Sequence, residues 1–227
     1  MKNKILVVAA HPDDEVLGCG GVMAKYASSC DIYIAILGEG ISSRYEKKGK
    51  SIEKDIIKLQ EKSKKVGKLL GAKQSFFFGF PDNKFDTIAF LDIVKKIEEL
   101  IAKIKPEIIY THHAGDLNID HRITFQAVLT AARPIFPNPV KKIYSFEVLS
   151  STEWSQQKIE KVFVPNVYED IYPVFNKKIK ALKIYKSEMR EFPHPRSLVG
   201  AKVIAQKRGM EAGLKCAEAF DLIRWIK

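Results

Sequence analysis

ILVVAAHPDDEVLGCGG, residues 5–21, changes character in its middle. Six apolar residues, Ile5 to Ala10, run directly into His11, Pro12 and three carboxylates, Asp13, Asp14 and Glu15. The apolar run reads as a buried strand, and acidic residues just after a proline read as the first turn of a helix. In open α/β sheets, ligands bind beyond the carboxyl ends of the strands, where strand order reverses. His11 to Glu15 stand at that position. The positive end of a helix dipole favours carboxylates, so a helix cap accounts for the acids. It does not account for His11.

Further apolar, β-branched runs follow at residues 32–37, 75–78, 108–111 and 142–148. Segments of helical period separate them, at residues 15–28, 52–70, 85–104 and 122–132. This alternation predicts an α/β fold with a mostly parallel sheet covered on both faces. Beyond Val148 the pattern predicts a short strand at residues 162–164, helices at 174–190 and 198–209, and an amphipathic terminal piece. In that piece Ala217, Phe220 and Ile223 recur at helical spacing. No repeat or linker is visible, so residues 1–227 are expected to form one domain whose last third, from about 150, packs back onto the sheet.

The chain has 227 residues, of which 46% are hydrophobic, enough for a sizeable core. No apolar stretch is long enough for a signal sequence or a membrane span. Cys19, Cys30 and Cys216 are odd in number, scattered and outside any CxxC spacing, so the expectation is free thiols in the cytoplasm. The formal charge is +11, carried mainly by lysines dispersed along helical segments. With no RRM, KH or zinc-finger signature beside them, nucleic acid is disfavoured as a partner. A phosphorylated or otherwise anionic small substrate suits the charge better. A homo-oligomer is compatible with the sequence, which does not decide the point.

The second polar cluster, THHAGDLNIDHR at residues 111–122, also follows a strand. In the doubly wound order 3-2-1-4-5 the first and fourth strands are neighbours, so the two histidine-bearing loops are expected to share one site. Its inventory is His11, Asp13, Asp14, His112, His113, Asp116, Asn118, Asp120 and His121. GxSxG, GxGxxG and GxxxxGK[ST] are all absent, which argues against a serine elbow and a nucleotide loop. A metal ion accounts for the cluster better: two imidazoles and a carboxylate make a common catalytic zinc set, and a spare carboxylate supplies a base. The same donors suit a non-haem iron oxygenase or a binding protein that keeps a metal without turnover.

AHPDDE at residues 10–15, followed at a distance by the aspartate-rich stretch ending in Asp120-His121, resembles the PIG-L/LmbE family of zinc-dependent de-N-acetylases, which act on N-acetylglucosaminyl conjugates. LGEGISSR, GFPDNKFD, FPHPRS and RGMEAGLKCAEAF extend the resemblance over most of the chain. It implies a Rossmann-like three-layer sandwich and one Zn2+ per chain held by His11, Asp14 and His121, with Asp13 as the base that activates water. Another divalent ion such as Fe2+ is compatible with those donors, and the resemblance would make a binding protein without turnover a sugar-binding protein. Many members carry a histidine three residues before the last ligand. This chain has Asn118 there, which donates a hydrogen bond to an oxyanion but carries no titrating proton.

Arg44, in the Gly-rich loop after the second strand, is a candidate contact for a sugar hydroxyl or phosphate. The resemblance favours Asp82, after the third strand, as a second. His194 stands between Pro193 and Pro195, which stiffen its loop, and is the candidate acid outside the metal shell. Arg196 beside it is a candidate substrate contact. His112 and His113 are expected to make ordinary hydrogen bonds, and Glu218 to pair with an arginine. The expected substrate is an N-acetylated amino sugar within a glycoside, nucleotide-linked or lipid-linked molecule.

Overall fold

A computed structural model describes residues 2–45, 50–137, 139–158 and 160–227. Its chain alternates β1 (Asn3–Ala9), α1 (Asp14–Tyr26), β2 (Cys30–Gly38), α2 (Lys50–Leu70), β3 (Gln74–Phe80), α3 (Phe90–Ile104), β4 (Ile108–His112), α4 (Ile119–Ala131) and β5 (Lys142–Phe146). There follow β6 (Val167–Asp170), α5 (Phe175–Ile184), α6 (Leu198–Glu211) and β7 (Ala217–Trp225). Among the described residues one sheet runs in the order β3-β2-β1-β4-β5-β7-β6. β1 to β5 are parallel, and β7 pairs antiparallel with both β5 and β6. The expected 3-2-1-4-5 order is present, with an antiparallel pair added at one edge.

β1 is central and buried on both faces. Ile5, Val7 and Ala9 face one core together with residues of α1, α2, α5 and α6, whereas Leu6, Val8 and Ala10 face a second core with α3 and α4. Two-sided burial is why this strand reads as a continuous apolar run instead of an alternating one. Gly18 makes possible the close seating of α1 on the sheet. A Cβ there would meet the Phe146 ring at 2.2 Å. The Gly18-Cys19-Gly20-Gly21 run is thus a packing device, not a phosphate cradle.

Three expectations fail in the last part of the chain and one in the middle. Residues 162–164 form no strand: Val164 is exposed, Pro165 lacks an N–H, and pairing begins only at Val167, opposite Phe220. The terminal piece is a strand, β7. Phe220 lies in one core while Ile223 packs on the other, so their three-residue spacing is not that of one helical face. α5 ends at Ile184, short of the expected Arg190. Residues 85–104 divide into a 3-10 turn, Phe85–Thr87, and α3. Among the described residues no helix is long and apolar enough to cross a membrane.

Candidate active site

The parallel register sets Ile5, Leu6 and Val7 of β1 beside Ile108, Ile109 and Tyr110 of β4, so both strands end at one edge. His112 fastens the ends together, its Nε2 accepting the Ala10 N–H at 2.8 Å. It is therefore occupied as a hydrogen-bonding residue, and His113 likewise contacts the Lys161 carbonyl at 2.9 Å through Nε2. Beyond these ends, His11 and Asp14 come from the β1–α1 turn and His121 from the first turn of α4. One donor atom from each of the three lies within 4.8 Å of the others, and all three residues are buried.

The surroundings fix which nitrogen each imidazole turns inward. His11 Nε2 is 2.9 Å from Asp120 Oδ2, leaving Nδ1 facing Asp14 Oδ2 at 3.5 Å. Asp120 also accepts the N–H groups of Asn83 and Phe85, at 2.7 and 3.0 Å, so it is a well-anchored partner for the ring. His121 turns Nδ1 to Asp116 Oδ1 at 3.1 Å and Nε2 to Asp14 Oδ2 at 3.2 Å. Asp116 is anchored in turn by Ser151, Thr152 and the Asn118 N–H. A carboxylate behind each ligating histidine is the usual support of a metal site. Asp14 Oδ1 is buried with no hydrogen-bond partner, an orphaned anionic atom on the residue whose Oδ2 faces both ligating histidines. That orphan and the donor set fit a divalent ion of the zinc type. A second grouping, His11 with Asp82 and Asp120, shares His11, but there Asp120 is already engaged by backbone.

The electrostatics follow from this crowding. Burial disfavours the His11 cation, but bonds to Asp120 and Asp14 outweigh it and raise the pKa to about 10. His121 is likewise raised to about 9, as Asp14 and Asp116 overcome burial. Asp14 is held well below the carboxylate range in spite of burial, through His121 and His11. Asp13 goes the other way. Burial pushes it up, Arg196 pulls it back, and the Asp14, Glu188 and Glu15 carboxylates push again, leaving it at about 8.

Asp13 is also conformationally unusual, with φ 110° in the left-handed half of the map. Such a residue costs on the order of 1–3 kcal/mol and persists only when its surroundings hold it. Here Glu15 Oε2 accepts the Asp13 N–H at 2.9 Å while Tyr185 donates to Glu15 Oε1 at 2.6 Å. Arg196 Nη1 holds the Asp13 carboxylate at 3.0 Å.

Arg44, Asp82, Asn118 and Arg196 line the same cavity of about 120 Å³ as His11, Asp13 and His121, together with Asn83, Ser43 and Glu188. Asn118 has a double duty. Its Oδ1 accepts the Asp120 N–H and caps α4, while its Nδ2 donates to Asn83 Oδ1 at 3.0 Å. His194 is not in the lining. Its Nδ1 accepts the Arg196 N–H at 3.1 Å and its ring stands edge-on to Trp154. Glu218 lies away from the cavity and pairs with a lysine, Lys178, at 2.6 Å, not with an arginine. The sequence reading assigned no role to Asp116 and Asp120 and overlooked Glu188 altogether.

The family described as PIG-L, GlcNAc-PI de-N-acetylase, matches residues 6–132, more than half of the chain and the whole span that supplies the three-residue cluster. The chain belongs to the PIG-L family. It is 32% identical over 189 residues to the uncharacterized deacetylase YaiS of Escherichia coli K12, covering 81% of this chain and 90% of that protein. The diacetylchitobiose deacetylase of Thermococcus kodakarensis is 26% identical, over 98% of this chain and 84% of its own length. Among solved structures, N,N'-diacetylchitobiose deacetylase from Pyrococcus horikoshii superposes with a TM-score of 0.79 at 18% identity, covering 98% of this chain and 84% of that one. At that identity the likeness speaks for the fold. PIG-L membership makes this protein an enzyme of the metal-dependent deacetylases, which hydrolyse N-acetyl amide bonds.

Proposed function

We propose that this PIG-L enzyme is a zinc-dependent hydrolase that removes the acetyl group from a GlcNAc-type amino sugar carried in a larger conjugate, and that it works in the cytoplasm. The observation that carries the reading is the convergence of His11, Asp14 and His121 beside a second buried carboxylate, Asp13, that is not needed as a ligand. The Thermococcus relative named for diacetylchitobiose deacetylation supports the sugar. Zinc, when bound by the three residues, supplies Lewis acidity for the acetyl carbonyl and lowers the pKa of water towards about 7.

The chain's own groups do the rest. Asp13 takes the proton of the attacking water. Burial and the neighbouring carboxylates raise the affinity of Asp13 for a proton, which suits a group that takes one from water and returns it to the departing amine. Arg196, turned onto Asp13, orients this base and so acts on the reaction through it. Asn118 spends one Nδ2 hydrogen on Asn83 and has a second to offer the developing oxyanion. Arg44 and Asp82 are the contacts for the sugar hydroxyls. His194 lies outside the lining with its Nδ1 engaged by the Arg196 N–H, and Asp13, beside the cluster, serves as both base and acid.

The test incubates zinc-loaded protein with a panel of N-acetylhexosamine conjugates and follows acetate and free primary amine together. Stoichiometric release that disappears in Asp13→Asn is expected. Binding without release points to a sugar-binding protein, and dependence on oxygen points to an iron oxygenase; either result removes the reading.

A further inference from the structure

Both guanidinium groups of the cavity are already neutralised. Arg196 is committed to Asp13, with its Nε also on the Ser150 hydroxyl at 3.1 Å. Arg44 is gripped from both nitrogens by the Glu188 carboxylate, Nη2 on Oε2 and Nη1 on Oε1 at 3.4 Å. The Glu188 side chain is 3% exposed, whereas that of Arg44 is 42% exposed, so the acid is built into the wall and the arginine folds onto it. Glu188 is fixed further by its own N–H on the Tyr185 carbonyl at 2.7 Å and by the Ser187 hydroxyl at 2.8 Å. Asp82, also in the lining, adds a second carboxylate near Arg44. The lysines behind the chain's +11 lie elsewhere, as in the open groove of Lys58, Lys62, Lys65 and Lys68 on α2.

We infer that Glu188 is a specificity-determining residue that reserves the cavity for an uncharged amino-sugar ring and turns away rings bearing a phosphate or carboxylate. The inference rests on the deacetylase reading and names the substrate class at that site. A hydroxyl can donate to Glu188 or Asp82 and leave the ion pair intact. An anionic substituent must take Arg44 from a partner that is covalently placed, and must then sit beside that partner's uncompensated charge. Placing like charges together in this way is a standard source of rejection. The anionic small substrate suggested by overall composition is thereby disfavoured in the cavity, because both of its guanidiniums are already paired and the lysines lie elsewhere.

The experiment compares N-acetylglucosamine with N-acetylglucosamine 6-phosphate on zinc-loaded wild type, Glu188→Gln and Glu188→Asp. Acetate release and equilibrium binding are measured on the same preparations, with metal content and thermal melting recorded for each. Wild type should favour the neutral sugar, and Glu188→Gln, by freeing Arg44, should shift the ratio towards the phosphate by about tenfold or more. Glu188→Asp keeps the charge and should keep the rejection. A wild type that prefers the phosphate, or a Glu188→Gln ratio equal to wild type, overturns the inference. If no sugar releases acetate, the deacetylase reading fails, and the binding ratios still decide the role of Glu188. Should Glu188→Gln lose its metal or melt early, Arg44→Gln supplies the converse: by leaving the Glu188 carboxylate uncompensated it should deepen the rejection of the phosphate relative to the neutral sugar, whereas a ratio equal to wild type or shifted towards the phosphate would overturn the inference.

Discussion

The floor of the cavity and its wall are built on different principles. The floor is made of His11, Asp13, Asp14 and His121, set just beyond two neighbouring parallel strands whose register places them at one edge. The wall pairs Arg44, from a 3-10 turn, with Glu188, and is tied to the floor by Arg196 on Asp13; Glu188 and Arg196 both come from the segment between α5 and α6, and each ion pair spans well over a hundred positions of sequence. A floor fixed by sheet register can change little without losing the reaction. A wall held by loop-to-loop ion pairs can change which molecule is taken while the chemistry beneath stays the same.

Loss of a floor ligand should have the largest effect. His121→Ala is expected to abolish zinc binding and activity while leaving the sheet folded, as read by elemental analysis and circular dichroism. Full zinc occupancy in that variant would falsify the ligand set. Next comes Asp13→Asn, which preserves shape and metal but not basicity, and should lower turnover by about two orders of magnitude or more. Normal turnover would move the base to the wall and erase the division.

A smaller effect is expected one layer behind the floor. Asp120→Ala frees the outer nitrogen of His11 and should weaken zinc affinity by roughly 10- to 100-fold, measured by competition with a chelator. An unchanged affinity would show that the ring needs no support. Protons report on the same layer. In the metal-free protein His11 and His121 titrate near 10 and 9, above their ordinary 6.5, so their stabilising contribution is complete below about pH 6.5 and is lost as pH rises through 9 to 10. Zinc must displace both protons, so uptake at pH 7 should release about two or more protons, and affinity should climb with pH as metal-free stability declines. Calorimetry in buffers of different ionisation enthalpy counts them. The rim should matter least. His194→Ala is expected to change turnover by about twofold at most, the scale of a surface substitution, and to leave the alkaline limb of the pH profile in place; loss of that limb would make His194 the acid.

The floor was legible in the sequence because its chemistry is local. His11 and Asp14 are three residues apart in one turn, and Asp120-His121 is a contiguous pair after a recognisable strand. Asp116 and Asp120 could have been read as the carboxylates that ligating histidines require, since both flank His121 in one short motif. Glu188 had no such signal. It is a single glutamate in YKSEMREF, past the end of a helix, and only folding brings it to Arg44. The same limit affected the C-terminal strands, where Phe220 and Ile223 share a three-residue spacing but face opposite sides of the sheet. Asn118 shows a subtler gap: sequence suggested a donor, and the structure adds that the same side chain caps the helix bearing His121, so Asn118→Ala carries a stability cost of about 1 kcal/mol as well.

Helix α1 is interrupted at Cys19, with φ −143° and ψ 26°, so its second half begins afresh inside the protein. The Gly21 and Val22 N–H groups exposed by that break donate to the Glu218 carboxylate at 2.7 Å each, with Lys178 bound to the same carboxylate and to the Leu17 carbonyl. Glu218 belongs to β7, which leaves the ribosome after the six strands it joins in the sheet. The helix that starts at Asp14 is therefore closed by a residue made long after the third metal ligand, His121. During synthesis the donors exist well before their scaffold does. Nascent chains halted ahead of Ala217 are expected to hold zinc more weakly than the finished protein, which defers capture of the ion until the sheet is whole.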